Sequence, residues 1–504
     1  MSGSWALPVL LALPLAGALL LLLLLPEVGD AIAHVVGLVV TGSVVVGVLA
    51  LFGSFDIGRA GRPQLELDGD WIPAIGVRFH LGVDGISLPL VGLTALLFLL
   101  CMVHLLRHMP EPVRPRALVG LLLLLETGVL ATFMALDLIV FFIAFEVVLL
   151  PMYFVIALWG GERRQHAATK FILFTLLGSV VMLVGFLVVG THAGTFDLVE
   201  LAGRRGAGLP RGVQDAAAAL MILGLAVKTP VWPLHTWLPD AHTEAPTVGS
   251  VLLAGVLLKM GTYGLVRLVL PVVPQGAHDL APALAGFAVI GIVWGSLVCL
   301  VQRDMKRLIA YSSVGHMGFV VLGIASLTTI GVQAALLANI AHGLITGLLF
   351  FLVGALKERH HSSEIAVVGE GMLGQTPYLG SLLVFAGVAS LGLPGLAGFW
   401  GEALALFGAW RPAGGLPAVW FQLLVCLACL GAIITAAYFL DLLRRTAFGP
   451  VPSARRLRPV GEARVSELVA WTPLVVATVV IGLYPRIVLG LGEAAVRGVL
   501  GVSA

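Results

Sequence analysis

The sequence predicts an all-α polytopic membrane protein of about fourteen transmembrane helices. Three observations carry that reading. Hydrophobic residues make up 59% of the 504, charged residues only 11%, and mean hydropathy is +1.06. A soluble chain of this length would carry roughly 25% charged residues. Apolar windows of about 20 residues, each long enough to cross a bilayer as a helix, recur from end to end.

Taken in order, the spans fall near residues 4–25, 30–53, 84–106, 115–134, 136–158, 168–190, 214–232, 248–271, 282–301, 307–326, 329–355, 377–410, 417–442 and 467–490. The first has no cationic flank and no small-residue cleavage site, so it reads as a retained span. Spans seven and twelve are anomalous. Span seven runs into LAVKTPVWPLHTWLPDAHTEAPTVG, where Pro230 and Pro233 each remove a backbone donor. Span twelve is too long to be continuous and is broken by LGLPGLAGF, Leu391 to Phe399. Interrupted helices at corresponding places in two halves point to a transport site within inverted repeats. The breaks lie five spans apart, so two inverted five-helix repeats are expected, spans 4–8 and 9–13. The chain then divides into 1–110 (spans 1–3), 111–275 (first repeat), 276–445 (second repeat) and 446–504 (last span and flanks).

Cations set the orientation. The odd-to-even loops hold seventeen Lys or Arg, including Lys306, Lys357 and the cluster Arg444, Arg445, Arg455, Arg456, Arg458 and Arg464. The even-to-odd loops hold eight, Arg267 among them. With an even number of spans, both termini face outward.

A charge in mid-bilayer costs roughly 2.5 kcal/mol or more, so each needs a partner or a task. Glu126, Glu146, Lys228, Lys259 and Glu402 fall near the middle of spans four, five, seven, eight and twelve. Asp137 and Asp441 sit at span ends, where an interfacial role suffices. Only five cations are lysine against twenty-four arginines, yet two of those lysines are intramembrane. Lysine titrates when buried and arginine does not, which favours proton handling. At about 4 Å, a Glu146–Lys228 pair would be worth roughly 4 kcal/mol at an effective dielectric near 20, enough to switch a proton. His316 and His342 lie between these charges, His235 and His242 lie in the proline-rich stretch, and the hydroxyls of AYSSVGHMG and Thr346 offer sites for water. None of these histidines has metal-ligand spacing, so no metal site is assigned.

The four cysteines, Cys101, Cys299, Cys426 and Cys429, stand in apolar runs, and the CLAC pair reads as packing. Neither an iron–sulfur ligand set nor a nucleotide-binding loop is present. The chain is expected to carry no redox centre and to hydrolyse no nucleotide.

FHLGVDGISLPLV, FEVVLLPMY, KTPVWPLHTWLPDAHTEAPTVGSVLLAG, LLKMGTYGL and RDMKRLIAYSSVGHMG together resemble the antiporter-like proton-channel subunits of respiratory complex I, the NADH–quinone oxidoreductase. Subunits of cation/proton antiporters and membrane-bound hydrogenases share the superfamily. Glutamate in GFWGEALAL, where sister subunits have lysine, is similar to the M type. The lack of a long lateral helix at the C-terminal end separates the chain from the L type.

The resemblance implies a proton-translocating subunit of an enzyme, coupled to quinone reduction elsewhere. Glu146 and Lys228 would be the coupling pair, Lys259 the central proton store, His316 and His342 the onward carriers, and Glu402 the exit. It implies no cofactor here, with FMN, Fe–S clusters and quinone in other subunits. Neighbouring antiporter-like subunits and lipid are the expected partners, with no nucleic acid, in a bacterial inner membrane. The alternative is a subunit of a sodium/proton antiporter or hydrogenase-linked pump.

Overall fold

The computed structural model describes residues 5–24, 29–451 and 460–502. Arg455, Arg456 and Arg458 of the cationic cluster lie outside the described residues. Among the described residues, twelve helices are long and apolar enough to cross a membrane. The two other predicted spans are the interrupted ones, seen as helix pairs. Span seven is Arg211–Lys228 followed by Trp237–Glu244, and span twelve is Pro377–Ser390 followed by Ala397–Trp410.

Each interruption has a local cause. In span seven the helix stops at Lys228, because neither Pro230 nor Pro233 has an N–H to continue the ladder. The indole of Trp237 donates to the Val227 carbonyl at 2.9 Å, satisfying a group that the break would leave bare. In span twelve Pro394 stands between Gly392 and Gly395, whose φ of 81° and 95° suit glycine and strain other residues. Span five holds a third, milder discontinuity. It consists of Leu138–Val147 and Leu149–Trp159, and Pro151 cannot donate to the Val147 carbonyl. That loosening directly follows Glu146.

Burial sorts the spans into layers. In spans eight (Thr247–Val272), ten (Met305–Ala325) and eleven (Thr329–His360), 94%, 89% and 100% of the apolar window is buried. These three form the centre, and they carry Lys259, His316 and His342. Spans one, two, six, nine, thirteen and fourteen present most of their surface outward. Glycine permits the central approach: a Cβ on Gly343 of span eleven would come within 2.8 Å of the Gly255 carbonyl of span eight.

Several features depart from the sequence expectation. Residues 64–83 form a two-stranded antiparallel hairpin, β1 (Gln64–Ile72) and β2 (Val77–Val83), joined through a left-handed Gly76. Span fourteen (Val465–Leu483) ends before Pro485, short of the expected residue 490. An amphipathic helix, Arg486–Leu500, follows and packs on span eleven. The Arg205 guanidinium donates to the Gly498, Val499 and Leu500 carbonyls, which closes that helix end. Arg267 and Lys306, read above as loop cations, are held inside the protein. Arg267 pairs with Asp84 at 2.5 Å, and Lys306 is buried and donates to the Ala245 carbonyl at 2.7 Å.

Candidate functional site

Span eight places Lys259 in a short α-helical stretch, Leu258–Gly264, between two π-helical segments, Leu253–Leu257 and Leu265–Val269. Such segments shift backbone hydrogen bonds by one residue: the Leu258 N–H reaches Leu253 O. The Lys259 ammonium donates to the Ala254 carbonyl of the first segment. Its second partner is Nδ1 of His342 on span eleven, 2.7 Å away. Beside them Thr262 donates to Asn339 Oδ1 at 3.0 Å, tying the two spans together.

From His342 the polar groups continue across the core. The His342 and His316 rings are 5.7 Å apart between centroids, near edge-to-face. His316 on span ten holds Glu402 Oε1 at 2.7 Å through Nδ1 and Ser390 Oγ at 3.2 Å through Nε2. Ser390 and Glu402 flank the span-twelve break on opposite sides, so the broken helix supplies two partners to one imidazole. A cavity of about 30 Å³ is lined by His316, His342, Thr346, Ser390 and Glu402. A water needs roughly 10–15 Å³, so the space takes about two. His342 Nε2 has no protein partner. Water in that space would join it to His316.

Of the six residues singled out in the sequence, four are thereby brought together: Lys259, His342, His316 and Glu402. The other two are not in contact. No ion pair within 4.0 Å joins Glu146 to Lys228, contrary to the separation supposed above. Lys228 is buried with no hydrogen-bond partner, and its ammonium faces the Phe145 and Phe171 rings at 4.9 and 5.9 Å. One Glu146 carboxylate oxygen is also unpartnered.

The remaining candidates separate cleanly. Asp137 caps span five, accepting from Ile139, Val140 and Arg78 N–H groups at 2.8, 3.2 and 3.1 Å. Asp441 pairs with Arg444 at 2.6 Å and Arg445 at 3.4 Å, where span thirteen ends. Glu126 is fully buried with neither carboxylate oxygen partnered. His242 stacks on Phe350 with centroids 4.5 Å apart, and both its ring nitrogens lack partners. Ser312 and Ser313 turn back to the Ile309 carbonyl, while Thr346 does line the cavity. Ser390, Asn339 and Thr262 went unnoticed in the sequence, since lone hydroxyls and amides in apolar runs carry no spacing signal.

Residues 135–431, which include all six candidates, match the family described as NADH:quinone oxidoreductase/Mrp antiporter, transmembrane. The chain is 41% identical over 453 residues to NADH-quinone oxidoreductase subunit M of Rhodobacter capsulatus, covering 88% of this chain and 85% of that protein. It is 38% identical over 430 residues to subunit M of Rickettsia bellii, covering 85% and 84%. The chain belongs to the NADH-quinone oxidoreductase subunit M family.

Solved structures agree with membership in the subunit M family. A chain of respiratory complex I from Thermus thermophilus with bound NADH superposes with TM-score 0.85 at 30% identity, over 100% of both chains. Two more distant neighbours share the fold alone. One is from the archaeal membrane-bound sulfane sulfur reductase, with TM-score 0.86, 24% identity and coverage of 98% and 97%. The other is from the Mrp complex of Dietzia, with TM-score 0.86, 20% identity and coverage of 99% and 98%.

Proposed function

We propose that this chain is a proton-translocating membrane-arm subunit of NADH:quinone oxidoreductase, working through Lys259, His342, His316 and Glu402. The observation that carries the proposal is the pair of direct contacts, Lys259–His342 and His316–Glu402, facing each other across a space sized for water. A proton on Lys259 passes to His342 Nδ1, leaves from Nε2 through water to His316, and is delivered to Glu402. Moving one charge against 100 mV takes roughly 2.3 kcal/mol, so a modest electrostatic push suffices.

Glu146 and Lys228 supply that push by changing their separation. Closing them to about 4 Å would be worth roughly 4 kcal/mol at an effective dielectric near 20. The break after Lys228 and the discontinuity after Glu146 give both side chains room to move. Electron transfer belongs to other subunits. The four cysteines here, on spans three, nine and thirteen, make no ligand set for a cluster.

Two five-span units, 111–275 and 276–445, account for a feature that occurs twice. Asp137 caps span five and bridges Asp197 beyond span six; Asp304 caps span ten and bridges Glu364 beyond span eleven. The two motifs lie five spans apart at opposite ends of the bundle, as inversion requires. The positive-inside rule puts the cation-rich loops in the cytoplasm of a bacterial cell, with both termini outside.

The test is purification through an affinity tag on this chain. The proposal expects NADH:quinone reductase activity to co-purify and to acidify proteoliposomes after reconstitution. Co-purification of sodium-dependent proton exchange without NADH oxidation would replace it with the antiporter reading.

A further inference from the structure

We propose that His104, His108 and Glu358 form a binding site for a divalent transition-metal ion of the zinc class on the cation-rich face. His104 ends span three (Ser87–Leu105) and His108 follows one turn later, its N–H bonded to the His104 carbonyl at 3.1 Å. This four-residue spacing sets both imidazoles on one side of the turn. Glu358 comes from the end of span eleven. One ligand atom from each of the three lies within 4.8 Å of the others.

His104 is the decisive residue. It is buried, at 2% exposure, and neither ring nitrogen has a partner. A buried polar group left without a partner is destabilising, so the position calls for a ligand. It lines a cavity of about 490 Å³ shared with His108 and Glu358, which gives an ion a way in. Arg107, Lys306 and Lys357 line the same cavity beside Glu111 and Glu244, and the ligand Glu358 adds the third negative charge.

The rings now stack at 4.6 Å, and His108 Nδ1 is 2.5 Å from Glu358 Oε2. Zinc takes nitrogen at about 2.0–2.1 Å, which sets tetrahedral ligand atoms about 3.4 Å apart. Side-chain rotation closes the difference, and water completes the fourth position. Glu467 Oε1 is 3.7 Å from His108 Nε2, but Arg359 holds both its oxygens. Bound, it fastens the end of span three to the end of span eleven, the helix that carries His342. The inference does not depend on proton translocation.

Zinc sulfate titrated into the purified, chelator-treated complex tests it, with Zn-edge X-ray absorption reporting the ligands. One ion more per complex is expected in the wild type than in His104→Gln or His108→Gln, or an affinity higher by about tenfold or more. Two imidazoles should appear in the absorption spectrum, and zinc should raise the Tm of the wild type alone. Glu358 is half-exposed, so Glu358→Gln keeps the test open if the histidine variants fail to assemble. Equal zinc stoichiometry and affinity in wild type and variants would overturn the assignment.

Discussion

Lys259 and His342 touch in the centre of the protein, ammonium to imidazole at 2.7 Å, on the two most deeply buried spans. A lysine there is buried, and among the described residues one carbonyl and one imidazole nitrogen compensate it. The arrangement suits a proton that must be held and then released. Arginine in its place would hold the charge permanently.

His342→Gln keeps a hydrogen-bonding side chain beside Lys259 but removes the group that passes a proton through its ring. Proton translocation by the reconstituted complex should fall by about tenfold or more. Assembly, followed by co-purification of the other subunits, should be unchanged. A pH-sensitive dye in proteoliposomes gives the rate.

Gly261→Ala tests the packing that fixes Lys228. A Cβ at Gly261 would clash with Thr229 Oγ1 and meet the Leu225 carbonyl at 2.8 Å, at the end of the helix carrying the lysine. Overpacking of this kind costs about 1–3 kcal/mol. The variant should unfold at lower temperature in detergent and translocate fewer protons, because the break in span seven is pushed aside.

On the cation-rich face, Arg359 and Glu467 form a two-pronged pair at 2.9 and 2.6 Å, joining span eleven to span fourteen. Glu467 also accepts from the Arg464 N–H at 2.6 Å, and Arg359 reaches the Gly461 and Glu462 carbonyls. Glu467→Ala leaves the partly buried guanidinium with carbonyl partners but no carboxylate, which costs up to about 3–5 kcal/mol. Thermal unfolding should show a loss of that size, and Glu467→Gln a smaller one.

At the opposite face, His80 on β2 holds Asp197 at 2.6 Å and Glu66 at 3.0 Å. Burial opposes its charge, but Asp197 and Glu66 outweigh that and raise its pKa. Asp197 is held below the usual carboxylate range: burial pushes it up, and the hydrogen bonds from His80 and the Glu200 N–H, with the charges of His80 and Arg78, together more than reverse this. The stabilisation from His80 is therefore complete below the ordinary histidine pKa and is lost as pH rises through the raised value. That from Asp197 is present above the ordinary aspartate pKa and is lost as pH falls through the lowered one. The Tm difference between wild type and His80→Gln should be full below pH 6.5 and shrink as pH rises through the raised value. A difference that stays constant as pH is raised would contradict the assignment.

Much of this was legible because membranes penalise exceptions. A lysine or glutamate in an apolar run stands out, and proline marks a broken helix whatever surrounds it, so Lys228, Lys259 and Glu402 could be found from one sequence. The hairpin was missed because Gln64–Val83 is short and mixes charge with apolar residues, a weak signal beside twenty-residue spans. Lys306 and Arg267 were misplaced for another reason. Near a span end, sequence cannot tell a solvated cation from one turned inward onto a carbonyl or an aspartate. The Glu146–Lys228 distance was equally out of reach, since it depends on how spans five and seven pack against each other.

The most direct test of the Lys259–Glu402 path is the number of protons moved per NADH oxidised, with Lys259→Met compared with the wild type in proteoliposomes. The path predicts a complex that still assembles and still passes electrons to quinone, but moves fewer protons for each NADH. An unchanged ratio, with the variant chain present at full stoichiometry, would contradict it.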